Sequence, residues 1–283
     1  MGNIRVFTNS VSDLSPELAA CHGITLIPDT MVFDGQVYLN NIDIDPPHFF
    51  ERMKTADKLP TSSHPNIAQY TDSFCTVPEG DEILCVTLTS KMSGSYNTAC
   101  IAAHDLAESG KGPRVTVYDS LQVSHGLAIM AIEAAKQAKL GKSCAEICAY
   151  LDGLQPRIGV YFSMYSLQNA KKGGRVGAIR ALAADALGIK PILQFTDGLV
   201  RDVAIVRGLP KAREAVYTRF ARTVDPSQEC FVFHSGNIKE AEALRSRILA
   251  EFSGMAVTLT WVGAVIGIYT GEGCLGLAYQ RKI

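Results

Sequence analysis

The residues best suited to chemistry lie in one hydroxyl-rich loop in the first half of the chain. The loop, Thr89–Ser95, follows the apolar run Ile83–Leu88 and precedes a segment with helical spacing of alanine and leucine. A strand that leads through a loop into a helix leaves free N–H groups at the helix start, where the helix dipole favours an anion. Ser93 and Ser95 add hydroxyl donors, and Gly94 allows a ligand to approach the backbone closely. The sequence therefore indicates an anion site, although the same residues also fit an ordinary helix N-cap.

A second group of hydroxyls lies upstream, where Thr61, Ser62 and Ser63 stand between Pro60 and Pro65. The two prolines restrict this segment to an extended conformation. Together the two groups of hydroxyls can hold one anionic head by hydrogen bonds. They lack the base and the orienting acid that a nucleophilic serine requires, so the pattern favours binding over catalysis.

Sharper catalytic and cofactor signatures are absent from the sequence. It contains no P-loop, no Gly-x-Ser-x-Gly elbow around Ser93 or Ser95, and no His-Glu-x-x-His. The six histidines do not cluster, and no cysteine has histidine or cysteine neighbours that complete a metal set. We therefore expect no metal and no cofactor other than a bound ligand.

Composition restricts the class of protein further. The chain has 283 residues, a formal net charge of −1 and no basic block, so nucleic acid is not an expected partner. Its eight cysteines form no Cys-x-x-Cys pair, which is typical of a reducing compartment. No apolar run reaches the roughly 20 residues of a membrane-spanning helix, and the opening residues are typical of a strand rather than a signal peptide. These features predict a cytoplasmic protein without a membrane-spanning segment.

Residues 1–155 are predicted to form an α/β domain that positions the hydroxyl loops. Short apolar strands alternate here with helical segments, which predicts a mainly parallel sheet with helices on both faces. The loops Thr8–Ser10, Thr89–Ser95 and Asp119–Ser120 each follow a strand end. They should gather at one edge of the sheet, where ligands bind in open α/β folds.

Residues 156–283 are predicted to form an α+β domain of two layers, with a boundary near Leu154–Pro156. Hairpins mix here with helices, which is typical of that class. Asp-Gly pairs at 34–35 and 197–198 each indicate a hairpin, one in each half of the chain. A helix is predicted over Gly177–Leu187, and Gly267–Gly273 is interpreted as a glycine loop before the closing strand.

Several short motifs follow one another along the chain in a characteristic order. They are Thr8–Ser10 with Asp13-Leu14, Leu59–Ser63, Ser93–Tyr96, Lys172–Arg175, Leu187–Leu193 with Asp197-Gly198, and Ile266–Gly273. Each motif is modest alone, but their order and spacing together resemble those of the DegV family over essentially the whole chain.

The resemblance implies a two-domain DegV-like fold and a non-enzymatic role as a bacterial fatty-acid-binding protein. Members enclose one long-chain fatty acid and present its carboxylate to a separate fatty acid kinase, which makes an acyl phosphate for phospholipid synthesis. On this chain the resemblance assigns the carboxylate to Thr61 and Ser93, with Ser62 and the backbone around Gly94 close by. It assigns head-group contact or kinase docking to two arginines, Arg175 and Arg201.

Three residues depart from the family pattern. Asn9 stands where an acid is usual, Tyr269 where a histidine is usual, and Glu272 where a proline is usual. Tyr269 can donate a hydrogen bond to a carboxylate, so it joins Ser95 in the expected ligand-binding set, but it carries no positive charge. These departures bear on the hand-off to a kinase more than on lipid binding.

The physics of an acyl chain agrees with this interpretation and leaves alternatives open. Burial of a sixteen-carbon tail yields about 0.8 kcal/mol per methylene, or roughly 10 kcal/mol before ordering costs. The same apolar residues could instead simply fill two cores. An enzyme is the rival class, either a serine hydrolase that uses Ser93 or a phosphotransferase that uses the glycine loops. A lipid-responsive interaction protein without kinase hand-off is a further alternative.

Overall fold

Three β-sheets and the helices around them make up the computed structural model, which describes residues 2–78, 80–110, 112–175 and 188–282. The helix predicted over Gly177–Leu187 lies outside the described residues. The strands are β1 Ile4–Asn9, β2 Ile24–Ile27, β3 Thr30–Phe33, β4 Gln36–Leu39, β5 Thr61–Ser63, β6 Glu82–Thr87, β7 Arg114–Asp119, β8 Ile158–Ser163, β9 Ile189–Thr196, β10 Leu199–Arg207, β11 Cys230–His234, β12 Val257–Trp261 and β13 Leu275–Gln280.

The α-helices are distributed along the whole described chain. They are α1 Pro16–His22, α2 Pro46–Met53, α3 Ile67–Phe74, α4 Ser95–Ser109, α5 His125–Lys139, α6 Cys144–Leu154, α7 Gln168–Lys172, α8 Leu209–Thr223, α9 Ile238–Glu251 and α10 Ala264–Thr270. None of these helices is long and apolar enough to cross a membrane.

The first large sheet is wholly parallel, with strand order β2-β1-β6-β7. Successive side chains of a strand point to opposite faces, so Phe7 packs with α3 and α4 on one side. Val6 packs on the other side with the residues of α5. The prediction of a mainly parallel sheet with helices on both faces is confirmed.

A small third sheet is antiparallel and has the strand order β4-β3-β5. Its β3–β4 hairpin turns at Asp34 and Gly35, whose φ angles of 50° and 78° are those of the turn type that Asp-Gly favours. Thr61–Ser63 was expected only to be extended, and it is the third strand of this sheet. Pairing with β3 therefore fixes which of its hydroxyls face inward.

The second large sheet is mixed, with strand order β10-β9-β8-β13-β11-β12 and one parallel pair, β11 with β12. Helices α8 and α9 cover one face, where their apolar residues pack with Leu277 and Tyr279. Helix α5 approaches the other face, and every residue from 125 to 135 is buried. The predicted α+β class is confirmed. The boundary near residue 155 stays a prediction, and the largest apolar cluster contains residues from both sides of it.

The segment Gly267–Gly273, interpreted as a glycine loop, is helical as far as Thr270, so that prediction is wrong for its first part, and only Gly271–Gly273 forms a turn before the closing strand. Helix α10 spans Ala264–Thr270 and ends where Gly271 takes a φ of 65°. Glycine is costly inside a helix, but Gly267 lies against two aromatic rings. A Cβ on Gly267 would lie 2.7 Å from Phe49 Cε1 and 2.7 Å from Phe50 Cζ. Close packing against α2 therefore overrides the local preference for a loop.

Candidate functional site

A cavity of about 400 Å³ lies between the two large sheets. Its interior walls come from the second sheet and from α10, and they are buried apolar side chains. The chief ones are Val160, Phe162, Phe195, Phe233, Val262 and Val265. The volume lies within the roughly 300–1,000 Å³ typical of small-molecule sites.

The polar lining residues other than the buried Asp29 and Ser124 form one end of the cavity, which reaches the protein surface. They are Ser62, Ser63, His64, Ser93, Gly94, Arg175, Tyr269 and Thr270, all of them partly or fully exposed. The Ser62 and Tyr269 hydroxyl oxygens lie 2.7 Å apart and form a hydrogen bond. Strand β5 and helix α10 thus meet at this end, which we call the polar mouth.

The Ser93–Gly94 loop occupies the position predicted from the sequence. Helix α4 begins at Ser95, with Gly94 as its N-cap residue, and Ser93 Oγ accepts a hydrogen bond from the Ser95 N–H at 3.2 Å. His64 packs over Gly94, where a Cβ would lie 3.0 Å from its ring Cε1. The other contact of that ring is a 3.1 Å hydrogen bond between His64 Nε2 and Thr98 Oγ1. A side chain at position 94 would therefore displace the exposed His64 ring.

Arg175 brings a positive charge to the polar mouth. Its guanidinium carbon lies 5.4 Å from the centre of the Tyr269 ring, a distance at which a cation is attracted to the ring face. Its Nη1 donates to the Gly173 carbonyl at 2.9 Å. A Cβ on Gly173 would lie 2.5 Å from the Tyr269 ring, so the end of α7 packs directly on α10. The guanidinium is exposed and can reach an anion at the mouth.

Three of the predicted site residues do not line the cavity. Thr61 is exposed and does not line the cavity, whereas its neighbours Ser62 and Ser63 both do. Ser95 is buried and its Oγ lies 2.5 Å from the Tyr70 hydroxyl. Arg201 is exposed on β10, 3.6 Å from Asp197. The predicted residues that the structure brings together are Ser62, Ser93, Gly94, Tyr269 and Arg175.

The family departures also have defined places. Asn9 is buried, where its Nδ2 donates to the Tyr70 hydroxyl at 2.8 Å and its Oδ1 accepts from the Leu88 N–H at 3.2 Å. An aspartate could not make the first of these bonds as a donor while ionised. Glu272 lies 3.8 Å from Lys54 and is not one of the cavity-lining residues. Lys54 also forms a closer ion pair with Glu51, at 2.6 Å.

Asp29 lines the cavity and was not predicted as a site residue. Its Oδ2 accepts hydrogen bonds from Ser10 Oγ at 2.9 Å and from the Val11 N–H at 3.3 Å. Burial raises the pKa of Asp29 to about 7, against these hydrogen bonds, which lower it. Because Asp29 follows strand β2, the same strand-end argument that identified Thr8–Ser10 could have found it.

Ser124 also lines the cavity and was not predicted. It precedes α5 with a φ of 52°, a strained value for a residue other than glycine. Its Oγ donates to Asp13 Oδ2 at 2.5 Å and lies 3.1 Å from His125 Nδ1. Burial, aided by the nearby His234, lowers the pKa of His125 to about 3, so the ring is neutral. Ser124 thus forms a polar point on an otherwise apolar wall.

The arrangement as a whole defines a class of protein. An α/β fold of two large sheets encloses an apolar cavity whose one polar end carries neutral hydroxyls and an exposed guanidinium. Such a cavity suits an amphiphile with an anionic head group. Among the described residues, no group of acidic, histidine and cysteine side chains could hold a metal ion.

Comparison with known proteins assigns the family. Residues 3–282 match the family model described as an uncharacterised protein of the DegV family. A DegV domain-containing protein from Halalkalibacterium halodurans is 32% identical over 283 residues, which are 99% of each chain. The chain therefore belongs to the DegV family.

Two solved structures have the same fold over nearly their whole length. A DegV family protein from Thermus thermophilus, whose structure concerns fatty acid binding, matches with a TM-score of 0.88 at 29% identity, covering 98% of this chain and 99% of its own. DegV from Bacillus subtilis, described as a fatty acid binding protein, matches with a TM-score of 0.88 at 27% identity and full coverage of both chains.

Proposed function

We propose that this protein binds one long-chain fatty acid, with the acyl chain in the cavity between the sheets and the carboxylate at the polar mouth. The observation that carries the proposal is the combination of buried, mainly apolar walls with the polar mouth at the surface, where Ser62, Ser93 and Tyr269 offer hydroxyls. The two solved relatives described as fatty acid binding support it.

The energetics of the two ends support a fatty acid over a wholly apolar ligand. Each buried methylene contributes about 0.8 kcal/mol, so a long tail supplies ample affinity from apolar walls alone. The carboxylate is the costly end, because an unpaired charge away from water is destabilising. Hydroxyl donors at the mouth compensate that cost, and the Arg175 guanidinium adds an opposite charge that remains hydrated.

The binding proposal is tested by native mass spectrometry of the purified protein before and after delipidation. We expect a bound mass that corresponds to one long-chain fatty acid and that returns when the delipidated protein is mixed with hexadecanoate. Dodecane at the same concentration is the control, because it can fill the apolar cavity but has no carboxylate. A protein that is empty as purified and does not take up hexadecanoate would contradict the proposal.

Presentation of the carboxylate to a fatty acid kinase is a further part of the proposal. Its support in this chain is Arg175, an exposed cation at the mouth where a partner could reach both it and the head group. An acyl-phosphate assay with the kinase from the same cell tests it, and we expect Arg175→Ala to lower the rate, measured per bound fatty acid, by more than it lowers fatty-acid affinity. Absence of acyl phosphate with the unmodified protein would favour a lipid-responsive interaction protein instead.

The enzyme alternative has less support at the same site. Ser93 Oγ accepts a hydrogen bond from the Ser95 N–H, and the neighbouring His64 bonds Thr98 rather than Ser93. A general base would have to contact the attacking hydroxyl. Labelling of Ser93 by a serine-reactive fluorophosphonate would overturn the assignment of the protein as a carrier.

A further inference from the structure

Asp29 places a carboxyl on the wall of the cavity between the sheets, and the residue is only 3% exposed. Its Oδ2 accepts hydrogen bonds from the Ser10 hydroxyl at 2.9 Å and from the Val11 N–H at 3.3 Å. Its Oδ1 accepts no hydrogen bond from the described residues, yet it is not one of their fully buried atoms that lack a partner. Oδ1 therefore keeps accessible surface, and because Asp29 lines the cavity, that surface opens into it.

The nearest hydroxyl on the chain, that of Ser10, cannot turn to serve Oδ1. It donates to Asp29 Oδ2, and it accepts from the Asp29 N–H at 2.8 Å and from Asn40 Nδ2 at 3.0 Å. These three bonds use its one hydrogen and both of its lone pairs. Oδ1 is thus an acceptor for which the described part of the chain provides no donor. Such an acceptor is costly away from water, and contact with plain hydrocarbon does not relieve the cost.

Ser124, the other buried polar residue on the cavity wall, already has partners. Its hydroxyl donates to Asp13 Oδ2, and it lies 3.1 Å from the Nδ1 of the neutral His125 ring. Of these two wall residues, Asp29 is therefore the one that offers a ligand an unpaired polar atom.

Strand pairing places Asp29 next to the polar mouth. Thr30, the residue after it, is opposite Ser63 in the pairing of β3 with β5, and Ser63 belongs to the mouth. Residues that face each other in an antiparallel pair lie about 5 Å apart. The Asp29 carboxyl is therefore close to the first carbons of a ligand whose carboxylate is bound at the mouth.

A hydroxyl group on the ligand is the donor that fits Oδ1. An ionised carboxylate accepts a hydrogen bond from a hydroxyl, and a protonated carboxyl can both donate to it and accept from it. A hydroxyl therefore pairs with Asp29 in either protonation state. It is also neutral, so it costs less to bury among apolar walls than an ammonium group would.

We propose that the fatty acid bound by this protein carries a hydroxyl group close to its carboxylate, and that this hydroxyl pairs with Asp29 Oδ1. The inference rests on the proposed function, because the acyl chain has to lie in the cavity for its hydroxyl to reach Asp29. Asp29 is then a specificity-determining residue that favours hydroxylated fatty acids over unsubstituted ones.

Isothermal titration of the delipidated full-length protein tests the preference. Hexadecanoate is compared with three derivatives that carry a hydroxyl on the first carbon after the carboxylate (α), on the second (β) or on the last carbon of the chain (ω). At pH 8 the Asp29 carboxyl, whose pKa burial raises to about 7, is mostly ionised, so a charge-assisted hydrogen bond can form.

We expect α-hydroxyhexadecanoate or β-hydroxyhexadecanoate to bind about tenfold more tightly than hexadecanoate, the gain from one hydrogen bond to a charged group. The ω-hydroxy acid is the matched control, because its hydroxyl lies at the far end of the same chain, and it should bind no more tightly than hexadecanoate. Equal affinity for hexadecanoate and for both the α-hydroxy and β-hydroxy acids, or tightest binding of the ω-hydroxy acid, would overturn the proposal.

Substitution of Asp29 tests whether this residue causes the preference. The readout is the ratio of the affinities for hydroxylated and plain acid in one protein, because a general loss of stability changes both affinities together. Asp29→Leu should bring the ratio to about one, since it removes the polar atom. Asp105→Asn, an exposed acid on α4, is the control and should keep the full ratio.

Asp29→Asn serves if Asp29→Leu does not fold. Its amide can still pair with a hydroxyl but carries no charge, so the ratio should fall to about threefold. An unchanged ratio in folded Asp29→Leu, or in Asp29→Asn when that is the only folded variant, would contradict the proposal.

The same titrations separate this inference from the proposed function. Binding of hexadecanoate and the hydroxylated acids with equal affinity would contradict only the preference for a hydroxyl. Failure of hexadecanoate and of all three hydroxylated acids to bind would contradict the proposed function, and with it the inference that rests on it.

Discussion

Ser62 and Thr61 are neighbours with similar side chains, and only one of them lines the cavity. The sequence resemblance assigns the carboxylate to Thr61 and Ser93, and that assignment stays a prediction. In the structure Ser62 faces Tyr269 at 2.7 Å, whereas Thr61 is exposed. Ser63, which follows Ser62 on β5, also lines the cavity, so of the three hydroxyl residues of this strand only Thr61 lies outside it. Thr61 and Ser62 have similar hydroxyl side chains in different positions relative to the cavity. Substituting each of them in turn therefore tests which hydroxyl contacts the ligand.

Ser62→Ala combined with Ser93→Ala should weaken hexadecanoate binding at least about tenfold. Each hydroxyl lost from a charged head group costs about 1.5 kcal/mol or more. Isothermal titration of delipidated protein measures the change. Thr61→Ala combined with Ser93→Ala is the matched control, and it should bind no more weakly than Ser93→Ala alone. If Thr61→Ala, rather than Ser62→Ala, adds a further loss to that of Ser93→Ala, the original assignment to Thr61 is correct and Ser62 is not a carboxylate contact.

The raised pKa of Asp29 predicts the direction in which this residue changes the free energy of unfolding as pH rises. Its pKa is raised to about 7 in the folded chain by burial, whereas an unfolded aspartate titrates near about 4. Between these values the unfolded chain is ionised and the folded chain still holds the proton. The contribution of Asp29 to the free energy of unfolding therefore falls as pH rises from about 4 to about 7, and it levels off above that.

Asp29→Asn should remove this contribution, because the amide oxygen can still accept from Ser10 and Val11 while nothing titrates. In urea unfolding at several pH values from 4.5 to 8, the free energy of unfolding should fall less, or rise more, with pH in Asp29→Asn than in the unmodified protein. The lowered pKa values of the buried His125 and His234 act in the opposite direction to Asp29, and they do so equally in both proteins. Asp13, whose pKa is also raised to about 7 by burial, keeps part of the slope. Asp105→Asn, an exposed acid, should leave the profile as it is. A slope identical in Asp29→Asn and the unmodified protein would show that Asp29 is ionised when folded.

At the scale of secondary-structure elements, the sequence correctly predicted the elements whose local conformational preference is the conformation they have in the fold. The Asp34-Gly35 turn needed no tertiary information. Strand β5 and helix α10 differ, because each depends on a partner distant in the chain. β5 is a strand only by pairing with β3, and α10 is a helix around Gly267 because α2 packs on it.

The same distinction explains the site. Ser93 and Gly94 were found because they lie between a strand and a helix that the sequence itself indicates. The choice of Ser62 over Thr61 depends on the register of β3 with β5, where Met31 is opposite Ser62. Ser124 enters the cavity through a strained backbone and the contact with Asp13, residues 111 apart in the chain. No local pattern encodes such a contact.

Two helical glycines provide a test of the packing argument for α10. Gly267→Ala should destabilise the protein by about 1–3 kcal/mol, because the new methyl group overlaps the Phe49 and Phe50 rings. It should also weaken hexadecanoate binding, since α10 carries Tyr269. Gly153→Ala in α6 is the matched control, because no atom lies within 4 Å of its Cβ position and its helix gains up to about 1 kcal/mol. Urea unfolding measures both. Equal effects of the two substitutions would show that a methyl group fits at position 267 without contact with the Phe49 and Phe50 rings.

At the scale of the whole molecule, α5 connects the two sheets. It packs on β1 and β6 of the first sheet and on β8 and β13 of the second. Phe231 and Phe233 of the second sheet share one apolar cluster with Leu84 and Val86 of the first. The proposed fatty-acid cavity lies in this same layer. Residues 1–155 and 156–283 follow one another in the chain, but much of the buried apolar surface of each half packs against the other half.

A shared layer of this kind predicts that the two halves unfold together. Trp261 fluorescence reports on the second half, whereas far-ultraviolet circular dichroism reports on helices throughout the chain. Their urea transitions should coincide in the delipidated protein, because opening either sheet exposes α5. Leu127→Ala, at a fully buried position of α5, should shift both transitions to lower urea by the same amount, with a loss of about 2–5 kcal/mol. Two separated transitions, or a shift confined to one probe, would show instead that the halves are independent domains and that the cavity between them can open without unfolding either.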